Sequence, residues 1–307
     1  MTLQKARVYL GLLYVVSVWA LNTVAVKFVL HDWQPLAFTG LRFICMVPLA
    51  FLLAKLLGER VHIARRDLPL LLACGAAGYG VYQYLWVFGL AHTTAFASAL
   101  LATLSPLMTL AIVAMHGHER VNAGRWTGAL IALLGVAIFE GAFAGHATFR
   151  IGDALTLVSA GVFAGFNVIS ARLLDRYTPV GLLVISMMFG TAMILPGAIP
   201  QMVHQNWHRL TPLDWGIFAY ALVFPIVLTY PVWSFGISRL GAARTSLFQF
   251  GVPIIAGVLS VVLLGARIEA HQAAGAVLCI AGVAISQMLG RVSLSALWAA
   301  RTQGMER

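Results

Sequence analysis

The chain has 307 residues, of which 61% are hydrophobic and 10% are charged. Because roughly a quarter of the residues in a soluble domain are charged, this composition excludes an ordinary soluble protein and indicates one that is embedded in a membrane. The net charge of +10 comes from basic residues spread over many connecting loops. We therefore expect no nucleic-acid partner, since such a partner favours a single basic patch.

Apolar runs long enough to cross a bilayer recur along the whole chain. A span needs about 20 residues to cross a hydrocarbon core of about 30 Å. The predicted spans are residues 8–30, 35–57, 68–90, 93–115, 124–142, 150–171, 178–200, 213–236, 241–264 and 270–290. The loops between them leave no room for a soluble catalytic domain, so we expect no enzyme. The sequence predicts an all-α integral membrane protein with ten transmembrane helices.

The loops between these spans differ in their content of basic residues. Most lysines and arginines, such as Arg60, Arg120 and Arg176, fall on one side of the ten-span arrangement, whereas Arg150 and Arg209 fall on the other. Cytoplasmic loops carry the excess of basic residues. The pattern predicts a multi-pass protein of the cell inner membrane with both termini in the cytoplasm.

A segment in the first half of the chain recurs in the second half. Residues 89–138 align without a gap on residues 236–285, with Pro106 on Pro253 and a Gly-Val-Ala-Ile run closing each segment. Proline and glycine are costly inside helices, so their recurrence in register indicates a duplication. Asn22 and Lys27 recur as Asn167 and Arg172, which extends the duplication back to the first span. Each half of the chain therefore holds five predicted spans, and an odd number places the second half in the opposite orientation.

The duplication predicts three parts of the chain. Residues 1–145 form the first five-helix repeat, residues 146–290 form the second, inverted repeat, and residues 291–307 form a cytoplasmic tail. Small residues at spacings of four or seven predict close contacts between helices. They are Gly124, Gly128, Gly135, Gly161, Gly165, Gly275 and Gly282.

The matched prolines fall inside the predicted fourth and ninth spans. A proline in a helix interior removes a backbone hydrogen bond and leaves a carbonyl that needs another partner or a water-lined cavity. We therefore predict hinges at Pro106 and Pro253. A kink that serves only packing is the alternative.

The predicted third span carries aromatic and amide side chains on one helical face. Their spacing is i, i+3, i+4, i+7. They are Tyr79, Tyr82, Gln83 and Trp86, and the matched eighth span holds Tyr230 and Trp233. Such a stripe can also be core or an interfacial belt. Because an unpaired amide such as Gln83 is costly in hydrocarbon, we predict that the stripe lines a cavity.

Asn22 and Asn167 occupy equivalent positions in the two halves. An amide at that depth needs a partner, which is either another helix or a substrate. A pair of amides suits a zwitterion, because it can accept from an ammonium group and donate to a carboxylate. Further residues are predicted to line the same space: Ser98, Phe163, Thr245 and Gln249.

The distribution of charges inside the spans bears on energy coupling. No carboxylate lies near the middle of a span, so we predict uniport or exchange rather than proton-driven export of cationic drugs. Lys27 and Arg42 lie within spans, and we expect their long side chains to reach the non-cytoplasmic surface, with Lys27 acting as a gate. The chain has no phosphate-binding glycine loop and no metal-ligand cluster, so no cofactor or metal is expected.

The opening pattern of Trp19, Asn22 and Lys27, the five-plus-five arrangement and the proline and glycine pattern resemble the drug/metabolite transporter superfamily, specifically its EamA-type exporters. The resemblance covers residues 8–290. The aromatic-rich interior is most similar to YddG-type amino acid exporters, which implies export of aromatic and other apolar amino acids from the cytoplasm.

The repeats predict alternating access to a cavity at their interface, with an amino acid-like small molecule as substrate. We expect a monomer in the lipid bilayer without a partner protein. Two alternatives remain at this point. One is an exporter of a different solute, such as a drug or a sugar or nucleotide phosphate, and the other is a membrane-embedded enzyme acting on lipid.

Overall fold

The computed structural model describes residues 3–59, 61–115, 123–139, 149–240 and 247–289. Within these ranges the chain is helical and forms no strand. Six helices are long and apolar enough to cross a membrane: Arg7–Val29, Pro35–Leu56, Arg65–Ala91, Ile151–Leu173, Pro179–His204 and Pro212–Trp233. Four apolar helices are shorter: Ala95–Thr109, Trp126–Phe139, Phe248–Leu264 and Ala270–Ser286. The predicted tail, residues 291–307, lies outside the described ranges.

We number the α-helices in chain order. The first half contains α1 Leu3–Val29, α2 Pro35–Leu56, α3 Leu68–Gly75, α4 Val81–Ala91, α5 Ala95–Ala102, α6 Ser105–Met115 and α7 Ala123–Phe139. The second half contains α8 Ile151–Leu173, α9 Pro179–His204, α10 Pro212–Val223, α11 Thr229–Leu240, α12 Gly251–Leu264 and α13 Ala270–Leu289.

Local sequence signals account for several of these helix starts. Pro35, Pro179 and Pro212 each occupy the first helical position, where a backbone N–H has no intrahelical partner to lose. Thr178 and Thr211 precede α9 and α10, and each threonine hydroxyl accepts a hydrogen bond from a backbone N–H of the first turn. These caps satisfy donors that a helix start leaves unpaired.

Two spans contain a π-helical turn at matching places. Ala76–Gly80 joins α3 to α4, and Phe224–Leu228 joins α10 to α11. Pro225 lies in the second turn, and Gly78 lies in the first. Both residue types weaken regular α-helical hydrogen bonding. A π turn changes the i→i+4 register and is frequent at functional sites.

The predicted fourth and ninth spans are not continuous helices. A turn at Thr103 and Leu104 separates α5 from α6, and a 3-10 turn, Leu247–Phe250, precedes α12. Pro106 and Pro253 lie in the first turn of the helix that follows each break, so each predicted span is interrupted beside its proline. A first turn has N–H groups without intrahelical partners in any case, so proline is tolerated there. Their role as hinges stays a prediction.

Helices from the two halves of the chain pack against each other throughout. α2 packs along α9, and α7 packs along α13. α1 contacts α11 and α12, whereas α8 contacts α4 and α6. In the alignment of the two halves, α8 corresponds to α1, α4 to α11 and α6 to α12. The first helix of each half therefore packs into the opposite half, and both halves share one interior.

Glycines allow the backbones of α7 and α13 to touch. A Cβ atom added at Gly128, Gly135 or Gly282 would lie 2.3 Å from a backbone nitrogen of the facing helix, and one at Gly275 would lie 2.4 Å away. Gly128 faces Gly282, and Gly135 faces Gly275. The predicted close contact is confirmed for these four glycines.

Gly161 and Gly165 on α8 do not make such a contact. The nearest atom to a Cβ at Gly161 would be the sulfur of Met108, at 3.4 Å, and nothing lies within 4 Å of a Cβ at Gly165. The prediction of close helix packing is wrong at these two positions, because no backbone within the described ranges comes within 4 Å of either Cβ position. Both glycines leave space beside the helix instead.

Candidate functional site

A cavity of about 130 Å³ lies among helices of both halves. A water molecule needs about 10–15 Å³ of such volume, so the cavity holds on the order of ten waters or a small solute. From the first half it is lined by Trp19, Asn22, Thr23, Arg42, Tyr82, Gln83, Trp86, Ser98, Ala99, Ala102, Thr103 and Ser105. From the second half it is lined by Ala160, Phe163, Pro225, Ile226, Tyr230, Gln249 and Val252.

The cavity brings together many residues that the sequence had singled out. They are Asn22, Tyr82, Gln83, Trp86, Ser98, Phe163, Tyr230 and Gln249. Thr245 lies outside the described residues. These side chains come from six elements in both halves of the chain, and the packing of each first helix into the opposite half places them around one space.

Three predicted residues lie elsewhere. Tyr79 is 1% exposed and packs behind the lining, with its ring 6.0 Å from that of Tyr230. Trp233 packs against Trp19, with ring centroids 5.0 Å apart. Asn167 is half-buried on α8 and does not line the cavity, so the predicted pair of amides does not form there. Tyr79 and Trp233 support the lining aromatic residues from behind.

Two pairs of aromatic rings contribute to the cavity wall. The ring of Tyr82 on α4 lies 4.8 Å from that of Phe163 on α8. The ring of Trp19 on α1 lies 6.1 Å from that of Tyr230 on α11. Each pair joins one half of the chain to the other. Such surfaces suit an apolar or aromatic group, because offset or tilted rings attract one another beyond the effect of buried area.

The π turn in the second half holds Trp19 in place. The indole Nε1 of Trp19 donates to the carbonyl of Pro225 at 3.0 Å and to the hydroxyl of Thr229 at 2.9 Å. Thr229 itself donates to the Pro225 carbonyl at 2.6 Å. Trp19 and Pro225 were not among the predicted site residues. The signal that pointed to Trp19 was its place in the opening pattern of the first span.

Arg42 on α2 lies in the cavity wall, and its predicted reach to the surface is wrong. The residue is 1% exposed, and its Nη2 donates to Oε1 of Gln83 at 3.0 Å. The guanidinium carbon lies 5.4 Å from the ring centroids of Phe38 and Phe43. These contacts hold the cation inside. The sequence already marked Arg42 as a functional candidate, because an ionisable residue within an apolar span is costly unless it has a role.

Four buried polar atoms on lining residues lack a hydrogen-bond partner in the part of the chain that the structure describes. They are Asn22 Oδ1, Arg42 Nε, Ser98 Oγ and Ser105 Oγ. A buried polar atom without a partner costs about 1–3 kcal/mol. Their concentration around one cavity indicates that water or a bound solute completes their hydrogen bonding.

Lys27 belongs to α1, and its side chain reaches the C-terminal end of α4 and does not line the cavity. Its Nζ donates to the carbonyls of Leu90 at 2.9 Å and Ala91 at 3.0 Å, which are the last residues of α4. These carbonyls have no intrahelical partner, and a cation is favourable at a helix C-terminus. Lys27 therefore caps α4 in this conformation. Its predicted role as a gate stays a prediction.

Polar contacts tie the two halves together at opposite ends of α8. At its start, the Thr93 hydroxyl donates to Asp153. Beyond its end, Arg176 pairs with Asp67, and the hydroxyl of Tyr177 donates to Asp67 at 3.2 Å. Both aspartates are buried, and no carboxylate belongs to the described residues that line the cavity. The acidic groups thus lie near the helix ends, on either side of the cavity.

These observations define a multi-pass, all-helical membrane protein with one polar and aromatic cavity shared between its halves. The chain matches the EamA-like transporter family over residues 6–140 and again over residues 150–288. It belongs to this family, and the unit that defines the family is present twice. The resemblance to EamA-type exporters is confirmed. The protein is a transporter of small molecules and not an enzyme.

Several relatives cover most of the chain. A probable terminal-alkyne amino-acid exporter of Streptantibioticus cattleyicolor is 29% identical, over 74% of this chain and 76% of its own length. A probable amino-acid metabolite efflux pump of Salmonella typhimurium is 26% identical, over 92% of this chain and 96% of its own. A solved crystal structure superposes with a TM-score of 0.67, at 19% identity, over 93% of this chain and 98% of the other. That likeness concerns the fold alone.

Proposed function

We propose that this transporter exports apolar and aromatic amino acids from the cytoplasm by alternating access through the cavity. The observation that carries the proposal is the composition of the cavity wall. Aromatic rings from both halves face the same space as one cation and several unpaired polar atoms. A zwitterion with an apolar side chain has groups that complement all three. One relative named as a probable terminal-alkyne amino-acid exporter and one named as a probable amino-acid metabolite efflux pump support an amino acid-like substrate.

We also propose that ten helices cross the membrane as two inverted repeats, residues 1–145 and 146–290, followed by a cytoplasmic tail. Six long and four shorter apolar helices support this number. The reciprocal contacts support a two-fold relation: Gly128 faces Gly282, while Gly135 faces Gly275, the residue that aligns with Gly128. The π turns at matching places support it further. The protein acts as a monomer in the inner membrane, with both termini in the cytoplasm.

In this mechanism the rings of Tyr82, Phe163 and Tyr230 hold the apolar side chain of the substrate. The polar contacts at the two ends of α8 break in turn. Breaking the contact between Thr93 and Asp153 frees the start of the helix. Breaking the ion pair between Arg176 and Asp67 frees its other end. The helix breaks before Pro106 and Pro253 would let parts of the two spans move separately.

Transport proceeds as uniport or exchange. A proton-coupled carrier needs a group that takes up and releases a proton where the substrate binds. The described lining residues include no aspartate, glutamate or histidine. The only charged one is Arg42, and an arginine remains protonated in proteins. Net movement therefore follows the substrate gradient in uniport, and the combined gradients of the two solutes in exchange.

An exporter of organic phosphates is the second candidate, and Arg42 is the observation that favours it. A dianionic phosphate group is bound best by several cations or a helix start. The described cavity wall supplies one guanidinium group and otherwise neutral side chains. A single carboxylate matches that charge better, so the amino acid exporter is the preferred function.

Uptake into liposomes that contain the purified protein tests the proposal. The labelled solutes are phenylalanine, leucine, glutamate and glucose 6-phosphate, each with and without an imposed pH gradient. We expect uptake of phenylalanine and leucine that is independent of the gradient. Empty liposomes and liposomes with the Tyr82→Ala variant serve as controls. Uptake of the phosphate alone would replace the first candidate with the second, and uptake that follows the pH gradient would contradict uniport.

A further inference from the structure

Arg42 is the only charged side chain among the described residues that line the cavity. It is 1% exposed, and no carboxylate pairs with it within the described ranges. Among the described residues, its hydrogen-bond acceptor is the neutral amide oxygen of Gln83, at 3.0 Å. A cation buried in this way lacks its counter-charge, which is costly in a medium of low dielectric constant. Two phenyl rings offset only part of that cost.

The remaining donors of Arg42 point to what completes the site. The hydrogen bond to Gln83 uses Nη2, and the Nε donor has no partner in the described chain. A guanidinium group presents its N–H donors in a planar fork that matches the two oxygens of a carboxylate. The hydrogen bond from Arg42 to Gln83 joins α2 to α4 and orients that fork. The missing counter-charge is therefore a carboxylate that the substrate brings.

The cavity offers an ammonium group much less. The described lining residues offer it aromatic faces and neutral acceptors, such as the unpaired Asn22 Oδ1 and the hydroxyls of Ser98 and Ser105, but no carboxylate. Hydrogen bonds to a charged group are stronger than those between neutral groups, and a cation near Arg42 is repelled. The cavity therefore binds the carboxylate of an amino acid more strongly than its ammonium group.

We propose that Arg42 and Gln83 form the carboxylate site of the transporter and that the carboxylate, not the amine, selects the substrate. This inference rests on the proposed function and narrows its substrate class. The substrates are monocarboxylates with an apolar or aromatic side chain, with or without an α-amino group. Deaminated compounds such as 3-phenylpropionate bind, whereas amines and esters with the same side chain do not.

A binding assay with matched phenylalanine analogues tests the proposal. The probes are phenylalanine, 3-phenylpropionate, phenethylamine and phenylalanine methyl ester, added to purified protein in detergent. The readout is displacement of labelled phenylalanine, with the shift in melting temperature as an independent measure. We expect 3-phenylpropionate to bind within roughly tenfold of phenylalanine, and the amine and the ester to bind roughly thirtyfold more weakly or worse, since they leave Arg42 without its partner. Equal binding of phenethylamine and 3-phenylpropionate would overturn the proposal.

Two variants test whether Arg42 and Gln83 are the residues that bind the carboxylate. Gln83→Glu places a carboxylate of the protein beside Arg42 with almost no change in shape, so we expect it to weaken binding of 3-phenylpropionate by roughly thirtyfold. Arg42→Gln is expected to do the same and to remove the preference for carboxylate over ester. Arg172→Gln makes the same change at an exposed arginine at the end of α8 and leaves the ratio unaltered.

The outcomes separate this inference from the proposed function. The ratio of carboxylate to ester binding does not depend on the fraction of folded protein, so a destabilised variant still gives a reading. An unchanged ratio in both Gln83→Glu and Arg42→Gln overturns the carboxylate site even if phenylalanine is transported. If liposomes show no amino acid transport, the proposed function fails. Stabilisation by 3-phenylpropionate that Gln83→Glu abolishes would still support the site.

Discussion

The indole nitrogen of Trp19 donates a hydrogen bond of 3.0 Å to the carbonyl of Pro225, which joins the first helix of one half to the π turn of the other. Trp19 also lines the cavity and contacts the ring of Tyr230. The hydrogen bond therefore links the π turn in the eighth predicted span to the shape of the cavity. An indole fills this position because it combines a large ring with a single donor.

Replacing Trp19 by phenylalanine removes the donor and keeps an aromatic ring. The carbonyl of Pro225 then loses one donor and keeps the Thr229 hydroxyl, so we expect a loss of about 1–2 kcal/mol in the free energy of unfolding and a raised KM for phenylalanine. Melting temperature and uptake kinetics measure the two effects. Trp126→Phe is the control, because Trp126 is 58% exposed on α7. Equal behaviour of the two variants would show that the hydrogen bond is unimportant.

The glycines separate into two classes that alanine substitution distinguishes. Gly128→Ala would put its Cβ 2.3 Å from a backbone nitrogen of α13. We expect a loss of about 1–3 kcal/mol, the usual cost of overpacking, measured as a lower melting temperature. Gly165→Ala meets nothing within 4 Å and should be neutral or stabilising by up to about 1 kcal/mol, since alanine favours a helix. The reverse order would mean that α7 and α13 do not touch.

The two asparagines at equivalent positions should differ in function. Asn22→Ala removes a cavity-lining amide whose Oδ1 has no partner in the described chain. We expect its KM for phenylalanine to rise by roughly three- to tenfold, the effect of about one hydrogen bond. Asn167→Ala changes a half-buried residue outside the lining, and its KM should stay within about twofold of the parent. A larger effect at Asn167 would favour the original pairing of the two amides at the substrate.

The aromatic wall should control the preference among side chains. Phe163→Ala removes the ring that packs 4.8 Å from that of Tyr82. Because aromatic pairs contribute about 0.5–1.5 kcal/mol beyond area burial, we expect roughly a two- to tenfold loss of preference for phenylalanine over alanine as substrate. Competition by unlabelled amino acids against labelled leucine measures this ratio. Phe88→Ala serves as control, since Phe88 is aromatic and half-buried on α4 but does not line the cavity.

Lys27 provides a test of capping against gating. Lys27→Met removes the cation from the carbonyls of Leu90 and Ala91. A cap at a helix C-terminus contributes about 0.3–2 kcal/mol, so we expect a lower melting temperature and transport per folded molecule within about twofold of the parent. Arg172→Met, at the aligned position of the second half, should change neither quantity. A large loss of transport at normal stability would instead support the predicted gate.

Several features were accessible from the sequence because they depend on local pattern. The apolar runs predict helices, since a chain in hydrocarbon must satisfy its backbone groups internally. The spacing of Tyr82, Gln83 and Trp86 predicts a common face, because helical geometry alone sets it. The glycine contacts at Gly128 and Gly135 followed from their spacing together with the duplication.

Other features depended on how distant segments meet. The side chain of Arg42 has the length to reach a surface, and only the position of Gln83 and the flanking phenyl rings shows that it stays inside. Gly161 has the spacing of a contact glycine, yet no backbone in the described part of the chain comes within 4 Å of its Cβ position. The same spacing thus has different outcomes, because a close contact needs a second helix at the right place.

By itself the sequence determined the class of this protein: its helices, its duplication and its membership of a membrane transporter family follow from composition, period and motif, which are properties of contiguous segments. Only the tertiary structure decided which side chains share the cavity. It excluded Asn167 and Trp233 from the lining and included Trp19 and Arg42. The physical reason is that each first helix packs into the opposite half, so the environment of a residue is set by segments distant from it in the chain.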